Sequence, residues 1–328
     1  MGYGGYSREV HRELTSSRAS LPREQVFRQS GCHPDMDPKE LTLRESRDSE
    51  LHPESIGVVF ALDQTGSMGH IPEMLAKEEL PHFMETIEDG DFVRDPQLLF
   101  VAIGDATQSN EVAPLQVGQF ESEATLMDTC LTNIFLEGKG GGNDGESYDL
   151  AFYVAARHTS MDCWEKRGRK GYLFVTGDEP PLKEVGAQHV KRLIGTPLQE
   201  DIPFKNIVEE ASKTFHSFFL IPDVVRGERC SRRWRDVLGD NVIVMEDPKD
   251  TCLVAATLVG LTEGTLDDLS AVYAKLESLG KDLNQVNRVI RVVESYASSI
   301  GRGGTRRETE NVKKQTNKDK KKSGNSRL

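Results

Sequence analysis

The sequence predicts a doubly wound α/β domain, a mostly parallel six-stranded sheet with one antiparallel edge strand, continued on its C-terminal side by helices. Three observations predict it. Apolar runs without alternation recur along the chain, segments of helical periodicity separate them, and the hydrophobic period becomes a heptad after residue 265. An unbroken aliphatic run is what a strand covered on both faces needs, and helices of about ten or more residues between such strands imply right-handed crossovers. At 328 residues, 37% of them hydrophobic, the chain has room for one α/β domain of about 200 residues plus appendages.

Residues 1–54 are rich in Ser, Arg, Glu and Pro and show little periodicity, so they read as an extended or disordered leader. The spacing then predicts strands over 56–62, 97–103, 115–120, 171–176, 215–221 and 241–245. Helical patterns occupy 72–88, 123–135, 146–161, 184–193, 203–213, 230–238 and 250–261. The short run Leu115 to Phe120 follows a short connection, which suits the antiparallel edge. Together residues 55–262 make the domain. In 265–300, Leu269, Val272, Leu276, Leu279, Leu283, Val286, Ile290, Val293, Ala297 and Ile300 recur at steps of three and four. Two readings stay open for this stripe. It forms a helix, or a hairpin hinged at Gly280, packed back on the domain, or it forms a coiled-coil seam for self-association or a partner helix. Residues 301–328 read as a disordered basic tail.

The most informative stretch is IGVVFALDQTGSMG, Ile56 to Gly69, where an apolar strand stops at a carboxylate and two hydroxyls follow in alternate positions. Open α/β sheets bind ligands at the carboxyl ends of their strands, so Asp63, Thr65 and Ser67 outline a metal site. Oxygen donors suit a hard cation, Mg²⁺ or Mn²⁺. Helix capping is the simpler account of Ser and Thr after a strand. Two further loops favour the metal: the strand Tyr172 to Val175 leads to Asp178 in TGDEPP, and the glycine-rich GKGGGNDGES, 138–147, carries Asp144 and Glu146 into a helix.

With these residues the chain resembles the von Willebrand factor A family and its metal-ion-dependent adhesion site. The first loop of that family reads D-x-S-x-S or D-x-T-x-S, matched by Asp63, Thr65 and Ser67, and Asp178 fits the third loop. The family's usual second loop, with a Thr in G-G-T-x-T-G, is absent; Asn143-Asp144-Gly145-Glu146 instead looks like the D-x-P-E variant of integrin β-type domains, in which the Glu binds the metal. The resemblance covers roughly Ser55 to Thr262 and implies a Rossmann-like sheet. It implies a metal held by Asp63, Thr65, Ser67, Glu146 and Asp178, and a partner protein that offers Asp or Glu to it. The stretches GDATQS, PLQVGQFES and ESYDLAFYVAARHT are most similar to bacterial intracellular members that accompany MoxR-type AAA+ ATPases, which implies an adaptor serving such an ATPase.

Other chemistries fit less well. Ser67 within TGSMG approaches a nucleophile elbow, with His158, His189 or His216 as base and Asp178 as orienter, but Thr65 stands where the tight turn needs glycine. A serine hydrolase using Ser67 and a coiled-coil oligomerising scaffold are therefore the alternatives to a non-catalytic binding module. A phosphotransferase lacks D-x-D at Asp63, and the 138–142 glycines lack the G-K-[ST] of a phosphate loop. The net charge of −12 is uneven: residues 302–328 hold ten Lys or Arg against three acids, leaving −19 for the rest. That acidic body argues against general nucleic-acid binding and leaves only weak contact through the basic tail. Cys32, Cys130, Cys163, Cys230 and Cys252 follow no paired spacing, which predicts free thiols and a cytoplasmic chain. No segment approaches the ~18 apolar residues of a membrane span, and the amino terminus lacks an apolar signal core.

Overall fold

The structure is a computed structural model that describes residues 4–138 and 145–304. Its main sheet has six strands: β1 (Ile56–Asp63), β2 (Pro96–Ile103), β3 (Leu115–Val117), β4 (Gly171–Thr176), β5 (Phe215–Ile221) and β6 (Val242–Val244). Their spatial order is β6-β5-β4-β1-β2-β3; all neighbours run parallel except β3, which is antiparallel to β2. The expected sheet and its edge strand are both present. Every residue of β1, β2 and β4 is buried, which is why these strands read as unbroken apolar runs.

Among the described residues the α-helices longer than four residues are α1 (Arg8–Ala19), α2 (Leu80–Gly90), α3 (Ala124–Thr132), α4 (Tyr148–Arg157), α5 (Ala187–Leu193), α6 (Phe204–Thr214), α7 (Val224–Leu238), α8 (Thr251–Glu263), α9 (Leu269–Ser278) and α10 (Leu283–Ser299). Successive side chains of a strand point to opposite faces, and β5 displays the two layers. Phe218 meets Tyr296 of α10 edge-on and stacks on Phe174, whose neighbour Phe60 packs on Phe83 of α2. Phe219, one residue on, stacks on Trp234 of α7 and meets Tyr148 of α4. One face is thus covered by α2 and α10, the other by α4 and α7.

Two expectations are corrected, and one reading left open is decided. The leader is ordered over its described part: α1 is capped by Ser7, residues Val26, Phe27, Met36 and Leu41 join the core, and Arg44–Ser46 pairs in parallel with Thr159–Met161. Its apolar residues are single anchors rather than a periodic face, so no pattern announced them. One of its polar anchors follows from covalent chemistry. Pro81 has no N–H to give the carbonyl of Lys77, the chain passes through a π-helical turn at Leu75–Glu79, and Arg18 Nε of α1 donates to that carbonyl at 3.2 Å.

The reading left open concerns 265–300. The heptad stripe breaks into α9 and α10 at Gly280, which has φ +69°, and Asp282 caps α10 by accepting from the N–H groups of Asn284 and Gln285. Leu269, Val272, Leu276, Val286, Ile290, Val293 and Ala297 are all buried within the chain. Arg288 donates from Nε and Nη2 to Asp250 at 2.6 and 2.9 Å, and Tyr296 and Thr262 share a hydroxyl contact of 2.6 Å. The stripe therefore forms a helical hairpin packed back on the domain, with Leu283 and Ile300 at the two ends of α10 left 37% and 39% exposed.

The second correction is that the helix expected over 230–238 begins at Val224. Asp223 caps it by accepting from Arg226 N, and Gly227 lets it approach β6, since a Cβ there would lie 2.5 Å from Val244 Cγ1. The expected tail at 301–328 lies outside the described residues from 305 onward, as do Asn143 and Asp144. Among the described residues no helix is long and apolar enough to cross a membrane.

Candidate metal centre

Asp63 is the last residue of β1, opposite Ile103 of β2, so it emerges at the carboxyl rim of the sheet. Its Oδ1 accepts from the N–H of Thr65 at 2.8 Å and from Thr65 Oγ1 at 2.6 Å, which curls the chain into the turn Gly66–Met68. Thr65 Oγ1 lies 3.1 Å from Ser67 Oγ, and Ser67 Oγ donates to Asp178 Oδ1 at 2.9 Å. Glu146 comes from the connection before α4, and its Oε2 lies 2.9 Å from Thr65 Oγ1. A bridge between Glu146 and Pro181 ties the second loop to the third, which carries Asp178. All five residues expected to hold a metal therefore meet. Oxygens of Asp63, Glu146 and Asp178 lie within 4.8 Å of one another, and each of these residues is 1% exposed or less.

Three buried carboxyl groups so close repel, and burial itself penalises their charge. Burial, then the charge of Asp63, pushes the Glu146 carboxyl far above the usual range, so that it holds a proton at neutral pH. Burial likewise raises Asp63. Glu146 Oε1 is buried without a hydrogen-bond partner. One orphaned acceptor atom beside two hydroxyls and two further carboxylates forms an all-oxygen donor set, and such a set fits a hard divalent cation.

Two residues of the site carry no motif signal. Tyr148 is fully buried; its hydroxyl donates to Asp63 Oδ2 at 2.5 Å, lies 3.3 Å from Glu146 Oε2, and accepts from the N–H groups of Asp178 and Glu179 at 3.2 and 3.3 Å. It joins all three loops, yet in sequence it is one more aromatic in an apolar helix. Arg226, in the first turn of α7, donates from Nε to Asp178 Oδ2 at 3.0 Å and from Nη2 to the Ser67 carbonyl at 2.8 Å. Only a cation near a helix start would have hinted at it.

Gly145 stands where D-x-P-E has proline, and its φ of +128° is closed to proline, whose ring fixes φ near −65°. Ser67 Oγ bonds to Asp178 and lies 3.1 Å from Thr65 Oγ1, and among the described residues no histidine hydrogen bonds to it. His158 instead contacts the Leu41 carbonyl at 3.1 Å.

The sheet with its single antiparallel edge, and three loops of oxygen donors meeting at its carboxyl rim, are what the resemblance implied. The domain is a doubly wound α/β sheet with a von Willebrand factor A-like topology. No family model matches the sequence, and no curated protein matches it. Among solved structures, this chain is similar to the pilus adhesin SpaC from Lactobacillus rhamnosus GG in its open conformation, at 10% identity and TM-score 0.44, over 66% of this chain and 31% of that one. It is similar to proximal thread matrix protein 1 of the mussel byssus with a zinc-occupied adhesion-site motif, at 9% identity and TM-score 0.38, over 63% and 48% of the two chains. A von Willebrand factor type A protein from Catenulispora acidiphila gives 13% identity and TM-score 0.34 over 73% and 52%. This chain spans from about a third to about half of the length of these proteins.

Proposed function

We propose that the protein is a non-catalytic binding module in which a divalent cation, Mg²⁺ or Mn²⁺, captures an Asp or Glu of a partner protein. The observation that carries this reading is the convergence of Asp63, Thr65, Ser67, Glu146 and Asp178, with an orphaned carboxyl oxygen of Glu146 among them. Thr65 and Ser67 are neutral donors and leave the charge of an ion uncancelled. Asp63 and Asp178 hold those hydroxyls in place, the orienting role that tunes a metal centre. Ser67 is half-buried while the carboxylates are buried, so the open side of the site lies beside Ser67. An ion held there keeps a net attraction for one more carboxylate. Ionised Glu146 weakens that attraction and sets the strength of capture.

The resemblance extends this reading to an adaptor that recruits substrates for a MoxR-type AAA+ ATPase in the cytoplasm. Isothermal titration of Mg²⁺ and Mn²⁺ into the full chain and Asp63→Ala tests the metal step, with the variant expected to lose binding. Equal affinity in both overturns the proposal. A pull-down with the candidate ATPase, with and without EDTA, tests the partner.

A further inference from the structure

Helix α1 is held on the domain by charge rather than by apolar packing. Of its 12 residues only His11 and Arg18 are buried; Val10 is 37% exposed and Leu14 half-buried. Polar anchors tie it to three neighbours. Arg8 Nη2 lies 2.7 Å from Asp89 and Arg12 Nε 2.8 Å from Glu85, both on α2. Arg18 pairs with Asp128 of α3 and donates to the Lys77 carbonyl of the π-helical turn, while Lys77 Nζ donates at 2.7 Å to the Leu21 carbonyl just beyond α1. His11 is the weak point of this seam. It is 2% exposed, its Nδ1 lies 2.8 Å from the Tyr6 hydroxyl, and its Nε2 is buried with no hydrogen-bond partner among the described residues. The charged and titratable groups facing it are Arg18 from its own helix and Glu85 and His82 from α2, and Glu85 is already bound by Arg12. A proton on His11 therefore sets a second cation near Arg18 in a seam closed to water. Burial, then Arg18, accordingly pulls the imidazole down to about 4.

We propose that α1 is a strap released by protons: neutral His11 keeps it docked on α2, α3 and the π-helical turn, and protonation of His11 lifts it off, opening the Lys77 carbonyl and the Asp128 carboxylate to solvent. The device is independent of the metal-dependent reading above. Its sign is that of a histidine whose pKa falls on docking. Above the ordinary value of 6.5 docking is at full strength, and it weakens as pH drops through 6.5 toward 4. Between pH 7.5 and 5 the docking constant should fall about thirtyfold.

The test is hydrogen exchange of the full chain, read by mass spectrometry between pH 7.5 and 5 and corrected for intrinsic rates, in wild type and His11→Gln. Protection of α1 is expected to drop about thirtyfold in wild type while that of β2 holds, and to stay level in His11→Gln, whose amide does not titrate. A level wild-type profile, or an equal drop in the variant, overturns the proposal. Should His11→Gln leave α1 unprotected already at pH 7.5, histidine NMR of wild type decides: proton uptake by His11 below pH 5 sustains the proposal, and uptake at the ordinary 6.5 overturns it.

Discussion

Metal uptake by this site should expel a proton. Without an ion, burial and the charge of Asp63 hold Glu146 protonated at neutral pH. A cation bound to its carboxylate requires the ionised form, so the proton leaves as the ion enters. The sign follows: below the raised pKa of Glu146 affinity increases with pH. For one proton per ion the slope is tenfold per pH unit, about 1.4 kcal/mol. Between pH 6 and 8 the association constant should therefore rise by about a hundredfold. Titration calorimetry in two buffers of different ionisation enthalpy, at several pH values, counts the released protons. Glu146→Gln, which cannot ionise, should bind the ion more weakly at pH 8 and show a flat profile. A wild-type profile without slope and with no proton release would refute the argument, because it would mean that Glu146 is already ionised or never meets the ion.

The same shift has a consequence for the metal-free fold. A carboxyl whose pKa is raised on folding favours the folded state less as pH climbs above its ordinary value, so in EDTA the Tm should fall between pH 6 and 8, and Mg²⁺ should restore more of it at the higher pH. Tyr148→Phe removes the hydroxyl shared by Asp63, Asp178 and Glu179; it should weaken Mg²⁺ binding by about ten- to a hundredfold, read by calorimetry, and lower stability by about 1–3 kcal/mol in urea titration. Arg288→Ala leaves the Asp250 carboxylate buried without its ion partner and should cost about 2–3 kcal/mol, less than a fully buried pair because Arg288 is partly exposed. Limited proteolysis of that variant should cut first around Gly280, while its Mg²⁺ affinity stays that of wild type.

Much of the domain was legible because its strands are buried on both faces. Ile56 to Leu62, 97–103 and 171–176 had to be apolar throughout, and each stands within one residue of its expected bounds. Asp63, Thr65, Ser67 and Asp178 were legible because a charged or hydroxyl side chain directly after such a run has no role in the core. The leader was not legible: α1 docks through isolated contacts such as Arg18 on the carbonyl that Pro81 leaves free, which no periodicity encodes. The heptad stripe of 265–300 shows the converse. Its spacing specified a surface to be buried but not the surface that would bury it; Gly280 and the Asp282 cap turned it back on the domain.

The sequence alone determined the alternation of strands and helices and the oxygen donors at the ends of three connections, since both are local consequences of burial and turn chemistry. Only the tertiary structure decided that those donors share one site, that Tyr148 and Arg226 organise it, and that the C-terminal stripe closes within the chain. Each of these is a contact between residues 30 to 159 positions apart, set by how the strands are ordered across the sheet.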